Sequence, residues 1–337
     1  MDKVKRETGD EMKKEMYLKS TDKKNKLHVI IWEPDSNDKN AVVQKADNDV
    51  KIKNAKNIKA ILQISHGMIE YVERYEEFAQ FFNANGILVI GNDHLGHGKT
   101  AASDENLGYF GDGKSKTVVD DLYEVTKYAK ETYGKAIPYF LFGHSMGSFM
   151  ARRYLMTYGN SLTGAIICGT GYTPGIVLTV GNICAKIMQL FKGEHYRSLF
   201  LKKIAFGSYN KRIPDVKTEN DWLSRNTANV EKYNQDKYCT FLFTVNGYQT
   251  LFDVLKFIQK KENIVHIPDE LPLFFIAGKE DPVGNYGAGV LKVVKQYKDN
   301  GIKNIQTKLY ENDRHELTNE MNRNIVFRDI LKWIEEF

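Results

Sequence analysis

Short, continuous apolar runs recur along the chain and alternate with segments that have a helical repeat. Seven runs predict strands, at residues 27–32, 58–65, 86–93, 137–143, 163–169, 271–278 and 305–310. From the second onward most lack polar alternation, which is typical of strands buried on both faces of a parallel sheet. Four segments predict helices that end at a glycine, at 74–86, 118–134, 148–159 and 289–301. The alternation predicts an α/β fold, a mostly parallel sheet with helices on both faces.

The alternation breaks between about residues 172 and 264, where the sequence is helical and rich in aromatic residues. With 337 residues, 42% of them hydrophobic, the chain is long enough for one large core with an insertion. We therefore predict a first core part at 1–172, a helical cap at 173–262 inserted late in the sheet, and a second core part at 263–337. Residues 173–261 carry 14 Lys and Arg against 7 Asp and Glu, a net charge of +7, whereas the whole chain carries +5.

The charged N-terminal segment and the longest apolar tract give expectations about where the protein is located in the cell. The first twenty residues mix charges and resemble neither a secretory signal nor a transit peptide. The longest apolar tract, 176–191, is interrupted by Asn182, Lys186 and Gln189, and we predict that it is too short to span a bilayer. A soluble, cytoplasmic protein is expected. The Asn/Lys-rich stretch 34–57 predicts a long loop without assigned chemistry.

The chain has an odd number of cysteines, three, and no C-x-x-C motif. They lie mostly in apolar contexts, at Cys168, Cys184 and Cys239. This pattern predicts reduced thiols in the core rather than disulfides or a zinc site. No metal and no cofactor are expected.

Candidate chemistry centres on Gly143-His144-Ser145-Met146-Gly147, which follows a predicted strand and precedes a predicted helix. A sharp turn there would project the serine hydroxyl clear of the sheet, and the glycines would let strand and helix approach closely. The N–H of Met146 would point toward the oxygen that becomes negative during acyl transfer. The motif and its context predict a nucleophilic serine.

Chain order suggests the partners of Ser145, because an acid and then a histidine follow the serine in this type of fold. Asp281 follows the strand at 271–278, and only His315 follows that acid. Glu280 and Asp313 are competing acids that we interpret as ordinary exposed carboxylates. The ends of parallel strands meet at one sheet edge, so these side chains are expected to converge.

The loop after the second predicted strand supplies a candidate for the second oxyanion donor. Gly67 permits a tight backbone, and the N–H of Met68 would face that of Met146. His66 is interpreted as a residue that braces this loop. The turn 95–100, LGHGKT, looks like a phosphate loop, but Asp93 stands where that pattern needs a glycine.

Five motifs together resemble the monoacylglycerol lipase and lysophospholipase branch of the α/β-hydrolase superfamily, often grouped with serine aminopeptidase-like hydrolases. They are SHGMIEYVERY, NDHLGHGKT, FLFGHSMGS, IAGKEDPVG and RHEL. The resemblance implies Ser145 as nucleophile, Asp281 as orienting acid and His315 as base. It also implies an oxyanion hole formed by the amides of Met68 and Met146.

The resemblance covers the core and not the insertion, so the substrate pocket is less specified. Tyr71 stands where the family commonly has a histidine. Glu70, His144 and Tyr172 are the pocket candidates, although for Glu70, as for Arg74, we favour a role in stabilising the loop.

The expected activity is cofactor-independent hydrolysis of esters of lipids with a single acyl chain, such as monoacylglycerols or lysophospholipids. A small-ester esterase, an aminopeptidase-like hydrolase and a non-catalytic ligand-binding member are the alternatives. The apolar, basic cap suggests peripheral contact with a membrane or micelle. Nucleic-acid binding finds little support, because 48 Lys and Arg are balanced by 43 Asp and Glu. The sequence does not indicate an oligomeric state.

Overall fold

An eight-stranded sheet forms the centre of the computed structural model, which describes residues 13–34 and 58–337. The strand order is β1-β2-β4-β3-β5-β6-β7-β8. Strands β3 to β8 run parallel to one another, whereas β2 pairs antiparallel with both of its neighbours, β1 and β4. The strands are β1 (Lys13–Lys19), β2 (Lys26–Trp32), β3 (Ala60–Ser65), β4 (Ile87–Asn92), β5 (Tyr139–His144), β6 (Gly164–Cys168), β7 (Leu273–Gly278) and β8 (Ile305–Tyr310). The predicted α/β-hydrolase fold with a mostly parallel sheet is confirmed. From residue 35 onward, the predicted loop lies outside the described residues.

Helices cover both faces of the sheet. In the described residues they are α1 (Glu76–Asn83), α2 (Lys114–Tyr133), α3 (Met146–Tyr158), α4 (Gly175–Lys192), α5 (Leu199–Phe206), α6 (Thr227–Gln235), α7 (Val245–Ile258), α8 (Lys261–Ile264), α9 (Ala288–Asp299) and α10 (Arg323–Ile334). Successive strand residues point to opposite faces, so in β5 Leu141 joins the cluster with α2, α3 and α9, whereas Phe140 and Phe142 join the cluster with α1 and α10.

Strand β1 is absent from the sequence-based prediction. Its residues alternate between half-buried and exposed, and only Met16 and Leu18 pack against the core. It lies at the edge of the sheet and pairs with β2, where Glu15 Oε2 lies 3.0 Å from His28 Nε2. An edge strand with so little apolar burial gives a weak sequence signal.

Helices α4 to α8 lie between β6 and β7, in the segment for which the sequence predicts a cap. Helix α7 is the most buried of them and packs against α3 and α2 of the core on one side and α4 on the other. A Cβ on Gly181 of α4 would lie 2.8 Å from the Phe252 ring of α7. The glycine therefore permits close contact between these two helices.

Helix α4 is 18 residues long with a mean hydropathy of 1.2, enough by length and composition to cross a membrane. The prediction that this tract is too short is therefore wrong as to length, because the helix extends beyond 176–191 at both ends. Leu178, Gly181 and Ala185 are buried along one side, while 17% of the helix as a whole is buried. The helix is thus packed on α7 by one narrow stripe, and most of its remaining residues are exposed.

Candidate active site

Ser145 occupies the sharp turn between β5 and α3. Its backbone is left-handed, with φ 52° and ψ −122°, a conformation that costs roughly 1–3 kcal/mol for a residue other than glycine. Hydrogen bonds hold the turn, since the Ser145 N–H donates to the Cys168 carbonyl at 3.0 Å and the Ser145 carbonyl accepts from the Ser148 N–H at 2.8 Å. The strained turn places Ser145 in the wall of a cavity beneath the cap.

The two glycines of the motif allow the close approach that this turn needs. A Cβ on Gly143 would lie 2.6 Å from the Gly147 carbonyl oxygen, and one on Gly147 would overlap the Ser65 carbonyl of β3. A larger residue at either position would push α3 away from the sheet.

Asp281 and His315 follow β7 and β8, and the structure brings them to the same sheet edge as Ser145. His315 Nδ1 lies 3.0 Å from Asp281 Oδ2, and both side chains are buried. The Val283 N–H donates to Asp281 Oδ1 at 2.9 Å, which fixes the carboxylate. His315 and Ser145 line the same cavity.

The His315 ring does not make the two hydrogen bonds that proton transfer from Ser145 would use, one to Asp281 and one to Ser145. The Nδ1 contact with Asp281 falls outside hydrogen-bond geometry, and Nε2 has no hydrogen-bond partner among the residues described. Such contacts are often loose in an enzyme without substrate and tighten in the complex. The catalytic roles of Ser145, Asp281 and His315 stay predictions.

Of the two competing acids, Asp313 is not the exposed carboxylate that the sequence predicts. It is fully buried rather than exposed, because it pairs with Arg225 of the cap and accepts a hydrogen bond from Asn322 Nδ2 at 2.9 Å. Glu280 is exposed, as interpreted from the sequence.

Trp222 of the cap is a neighbour of His315 that sequence reasoning missed. The two ring centroids lie 4.9 Å apart. The same segment holds the backbone of the histidine loop, since the Glu316 N–H donates to the Leu223 carbonyl at 2.7 Å and Arg314 donates to the Asp221 carbonyl at 2.7 Å. Trp222 lies in the insertion, where no motif marks it.

The candidate oxyanion donors Met68 and Met146 both line the cavity. Met146 is the first residue of α3, and a first-turn N–H has no acceptor within its own helix. A Cβ on Gly67 would lie 3.1 Å from Ser145 Cβ, so glycine lets the loop approach the serine.

His66 orients the peptide group that carries the Met68 N–H. Its Nδ1 lies 2.8 Å from the Gly67 carbonyl and its Nε2 accepts the His94 N–H at 2.9 Å. Because a trans peptide is planar, fixing the Gly67 oxygen directs the Met68 N–H the opposite way. The contacts are those of the loop-bracing residue that the sequence suggests.

Glu70 is surrounded by donors in the cavity wall. Its carboxylate accepts the Gly67 N–H, His144 Nδ1 at 2.9 Å, the Tyr75 hydroxyl at 3.0 Å and Arg74 at 2.9 Å. Burial raises the pKa of Glu70, but the hydrogen bond from His144 and the charge of Arg74 outweigh it and hold that pKa below its ordinary value. The carboxylate therefore stays ionised and braces the loop.

The other two pocket candidates differ in their placement. His144 lines the cavity, but its Nε2 lies 3.3 Å from the His315 carbonyl, so both ring nitrogens have protein partners. Tyr172 is not among the residues that line this cavity, and its role as a pocket residue stays a prediction. Its ring lies beneath the Lys292 ammonium, 3.6 Å from the centroid, although its neighbours Gly171 and Thr173 do line the cavity.

The turn LGHGKT forms around the buried Asp93 carboxylate, which accepts the Lys99 N–H at 2.8 Å. His97 in this turn directs Nδ1 to the Leu95 carbonyl at 3.0 Å and accepts the Ile69 N–H at Nε2, 3.3 Å away. Burial lowers the pKa of His97 to about 3. The turn thus supports the loop that carries the candidate oxyanion donor Met68.

We expect His97 to make folding sensitive to acid. The unfolded chain binds a proton at this histidine below about pH 6.5, whereas the folded chain does not, so stability falls as the pH falls. Between pH 7 and pH 5, wild type should lose about 2 kcal/mol more unfolding free energy than His97→Gln, at about 1.4 kcal/mol per pH unit. Urea unfolding at both pH values measures this, and equal losses in the two proteins would contradict it.

The cavity has a volume of about 520 Å³ and lies between the sheet edge and the cap. Its apolar lining comes largely from the cap, with Val177, Leu199, Phe206, Phe241 and Leu255. Phe149 of the core also contributes to it. Cys239 also lines the cavity and is buried in a small apolar cluster with Leu223 and Tyr233, as expected for a thiol in an apolar context. All three cysteines are free, with Cys168 and Cys239 buried.

Comparison with known proteins defines the class. The family model described as "Serine aminopeptidase, S33" matches residues 56–322, and the chain belongs to this family of α/β-hydrolases. Together with the relatives and the esterase structure described next, this membership identifies it as a carboxylic-ester hydrolase. Relatives include a monoglyceride lipase homolog of monkeypox virus, 26% identical over 82% of this chain and 89% of the relative, and human monoglyceride lipase, 26% identical over 82% and 83%.

Solved structures show the same architecture. A carboxyl esterase from Bacillus coagulans in complex with glycerol matches with a TM-score of 0.83 and 29% identity over 97% of this chain and 99% of that one. A soluble variant of monoglyceride lipase from Saccharomyces cerevisiae matches with a TM-score of 0.70 and 18% identity, covering 99% of both chains.

Proposed function

We propose that the protein hydrolyses esters of lipids with a single acyl chain, with monoacylglycerols as the first candidate. Ser145 attacks the ester carbonyl while His315 Nε2 takes its proton, and Asp281 orients the imidazole. The amides of Met68 and Met146 stabilise the oxyanion. His315 returns the proton to the leaving alcohol, and water then releases the fatty acid from Ser145.

The apolar cavity that contains Ser145 carries this proposal. A cavity of about 520 Å³ falls within the range of sites that enclose a small ligand, and its largely apolar lining suits an acyl chain. The names of two relatives, the monoglyceride lipase homolog of monkeypox virus and human monoglyceride lipase, support monoacylglycerols as the substrate class.

The carboxylates favour an ester over a peptide with a free amino terminus. A peptide ammonium requires an available anion, but Glu70 and Glu316 are both engaged by Arg74. Glu219, a further carboxylate that lines the cavity, pairs with Lys202 at 2.7 Å. An aminopeptidase therefore finds no unpaired carboxylate in the described lining.

Lysophospholipids are the second candidate, because Lys202 and Lys203 also line the cavity. Within the described part of the chain, Lys203 has no ion-pair partner. An unpaired ammonium in the lining can donate hydrogen bonds to the phosphate oxygens of a lipid headgroup.

A substrate panel tests the proposal. Monoacylglycerols with acyl chains from C2 to C18 are compared with lysophosphatidic acid, lysophosphatidylcholine and an aminoacyl amide, with Ser145→Ala measured alongside. The proposal expects a long-chain monoacylglycerol optimum that is lost in the variant. A short-chain optimum or a preference for the amide would contradict it, and a Lys203-dependent preference for lysophospholipids would select the second candidate.

We further propose that the cap contacts a membrane or micelle peripherally, with the protein itself in the cytosol. The outward face of α4 carries exposed apolar side chains at helical spacing, Ile176, Val180, Ile183, Ile187 and Leu190, followed by Phe191. Leu190 and Phe191 are 82% and 81% exposed. Lys186 and Lys192 are exposed on the same helix. An amphipathic helix of this kind binds in the plane of a lipid surface.

Replacing the two most exposed side chains should weaken this contact. The double variant Leu190→Ser and Phe191→Ser is expected to bind anionic vesicles at least about fivefold more weakly, because buried apolar area contributes roughly 25 cal/mol per Å². Vesicle co-sedimentation measures binding. The control Leu291→Ser removes a 51% exposed leucine from α9 of the core and should bind like wild type. Equal binding by all three proteins would contradict the proposed contact.

A further inference from the structure

Ile69, directly after the candidate oxyanion donor Met68, has a strained backbone. Its φ is 58°, in the left-handed region that a β-branched residue rarely adopts. Such a conformation costs roughly 1–3 kcal/mol and persists only where the surroundings enforce it. The residue also lines the cavity, so its backbone lies beside the chemistry.

Two contacts from different parts of the molecule hold the peptide groups on either side of Ile69. On the core side, His97 Nε2 accepts the Ile69 N–H at 3.3 Å. On the cap side, the hydroxyl of Tyr233 in α6 donates to the Ile69 carbonyl at 2.9 Å. Tyr233 also lines the cavity, but its hydroxyl makes this hydrogen bond to the backbone of the loop.

Tyr233 is itself held in place. The Arg74 guanidinium lies 4.9 Å from the centroid of its ring. Two further hydrogen bonds hold helix α6 on the core. Asn229 Nδ2 donates to Glu316 at 2.7 Å, and the Tyr71 hydroxyl donates at 2.7 Å to Asp236, the residue directly after the helix. Burial raises the pKa of Tyr233 well above its ordinary value, so its hydroxyl remains a donor.

We propose that Tyr233 is a positioning residue of the cap whose hydroxyl keeps Ile69 in its strained conformation and thereby directs the Met68 amide at the reacting carbonyl. The oxyanion hole is then complete only while α6 is seated on the core. The inference rests on the proposed function, to which it adds a direct influence of the cap on catalysis.

Tyr233→Phe tests this, because phenylalanine keeps the ring under Arg74 and removes only the hydroxyl. We expect kcat for a monoacylglycerol to fall about tenfold, less than the 10²–10³ for removing an oxyanion donor outright, with KM changed less than about twofold. Binding of an alkyl trifluoromethyl ketone, whose adduct places an oxyanion in the hole, should weaken by a similar factor. The melting temperature should change little.

The matched control is Tyr238→Phe, five residues further along the cap, since this hydroxyl makes no hydrogen bond within the described part of the chain. It should keep the wild-type kcat and ketone affinity. Normal kcat and ketone affinity in Tyr233→Phe, while Ser145→Ala is inactive, would overturn the positioning role alone. Full activity of Ser145→Ala in the same assay would instead overturn the proposed function, and this inference with it.

Discussion

Ser145→Ala is expected to lower kcat for monoacylglycerol hydrolysis by at least about 10⁴-fold, because loss of a triad nucleophile removes the covalent pathway. The fold should survive, since the Ser145 hydrogen bonds that hold the turn are made by its backbone N–H and carbonyl. Alanine keeps both groups and the same Cβ. Single-turnover and steady-state assays measure the loss.

Ser103→Ala is a suitable control for this change. Ser103 is exposed and its side chain makes no capping hydrogen bond at the short helical turn that it precedes. Its variant should retain wild-type activity. Residual hydrolysis above about 1% of wild type in purified Ser145→Ala would contradict the assignment of the nucleophile.

Arg74→Met is expected to lower the unfolding free energy by about 3–5 kcal/mol, the cost of leaving a buried charge without its partner. Arg74 makes two hydrogen bonds to Glu316, of 2.8 and 2.9 Å, and a third to Glu70 of 2.9 Å. The Glu316 and Glu70 side chains are only 2% and 4% exposed. Methionine would fill the space but would leave both buried carboxylates without the guanidinium that pairs with them. Denaturant unfolding at pH 7 measures the effect.

Two further variants separate charge burial from loss of packing. Adding Glu316→Gln to Arg74→Met removes one stranded charge and should restore part of the lost stability. Lys295→Met breaks an exposed pair with Asp299 of 2.7 Å and should cost less than about 1 kcal/mol. A small effect of Arg74→Met, similar to that of Lys295→Met, would show that the buried network does not contribute as described.

The fold could be predicted where burial leaves a strong pattern. Strands β3 to β7 are buried throughout, so their continuous apolar runs mark them, with boundaries correct to about two residues. Strand β1 was not predicted, because it lies at the edge of the sheet and has few buried apolar residues. Helix α4 is longer than expected, because Asn182, Lys186 and Gln189 do not interrupt it.

The candidate site could be predicted where one short motif specifies a local turn. Gly143 to Gly147 and the strand ends before Asp281 and His315 are of this kind. Contacts between distant segments leave no such signal. Trp222 against His315 and Tyr233 against Ile69 join the cap to loops far away in sequence. The same holds for Asp313, whose burial depends on Arg225 of the cap.

Labelling with a long-chain alkyl fluorophosphonate, followed by mass spectrometry of the digested protein, tests the central claim most directly. The reagent forms a covalent adduct with an activated serine, and its alkyl chain requires the same apolar cavity as the proposed substrate. The account predicts one adduct per chain, on the peptide that contains Ser145, and none in Ser145→Ala. No adduct, or an adduct on another residue that Ser145→Ala leaves unchanged, would contradict it.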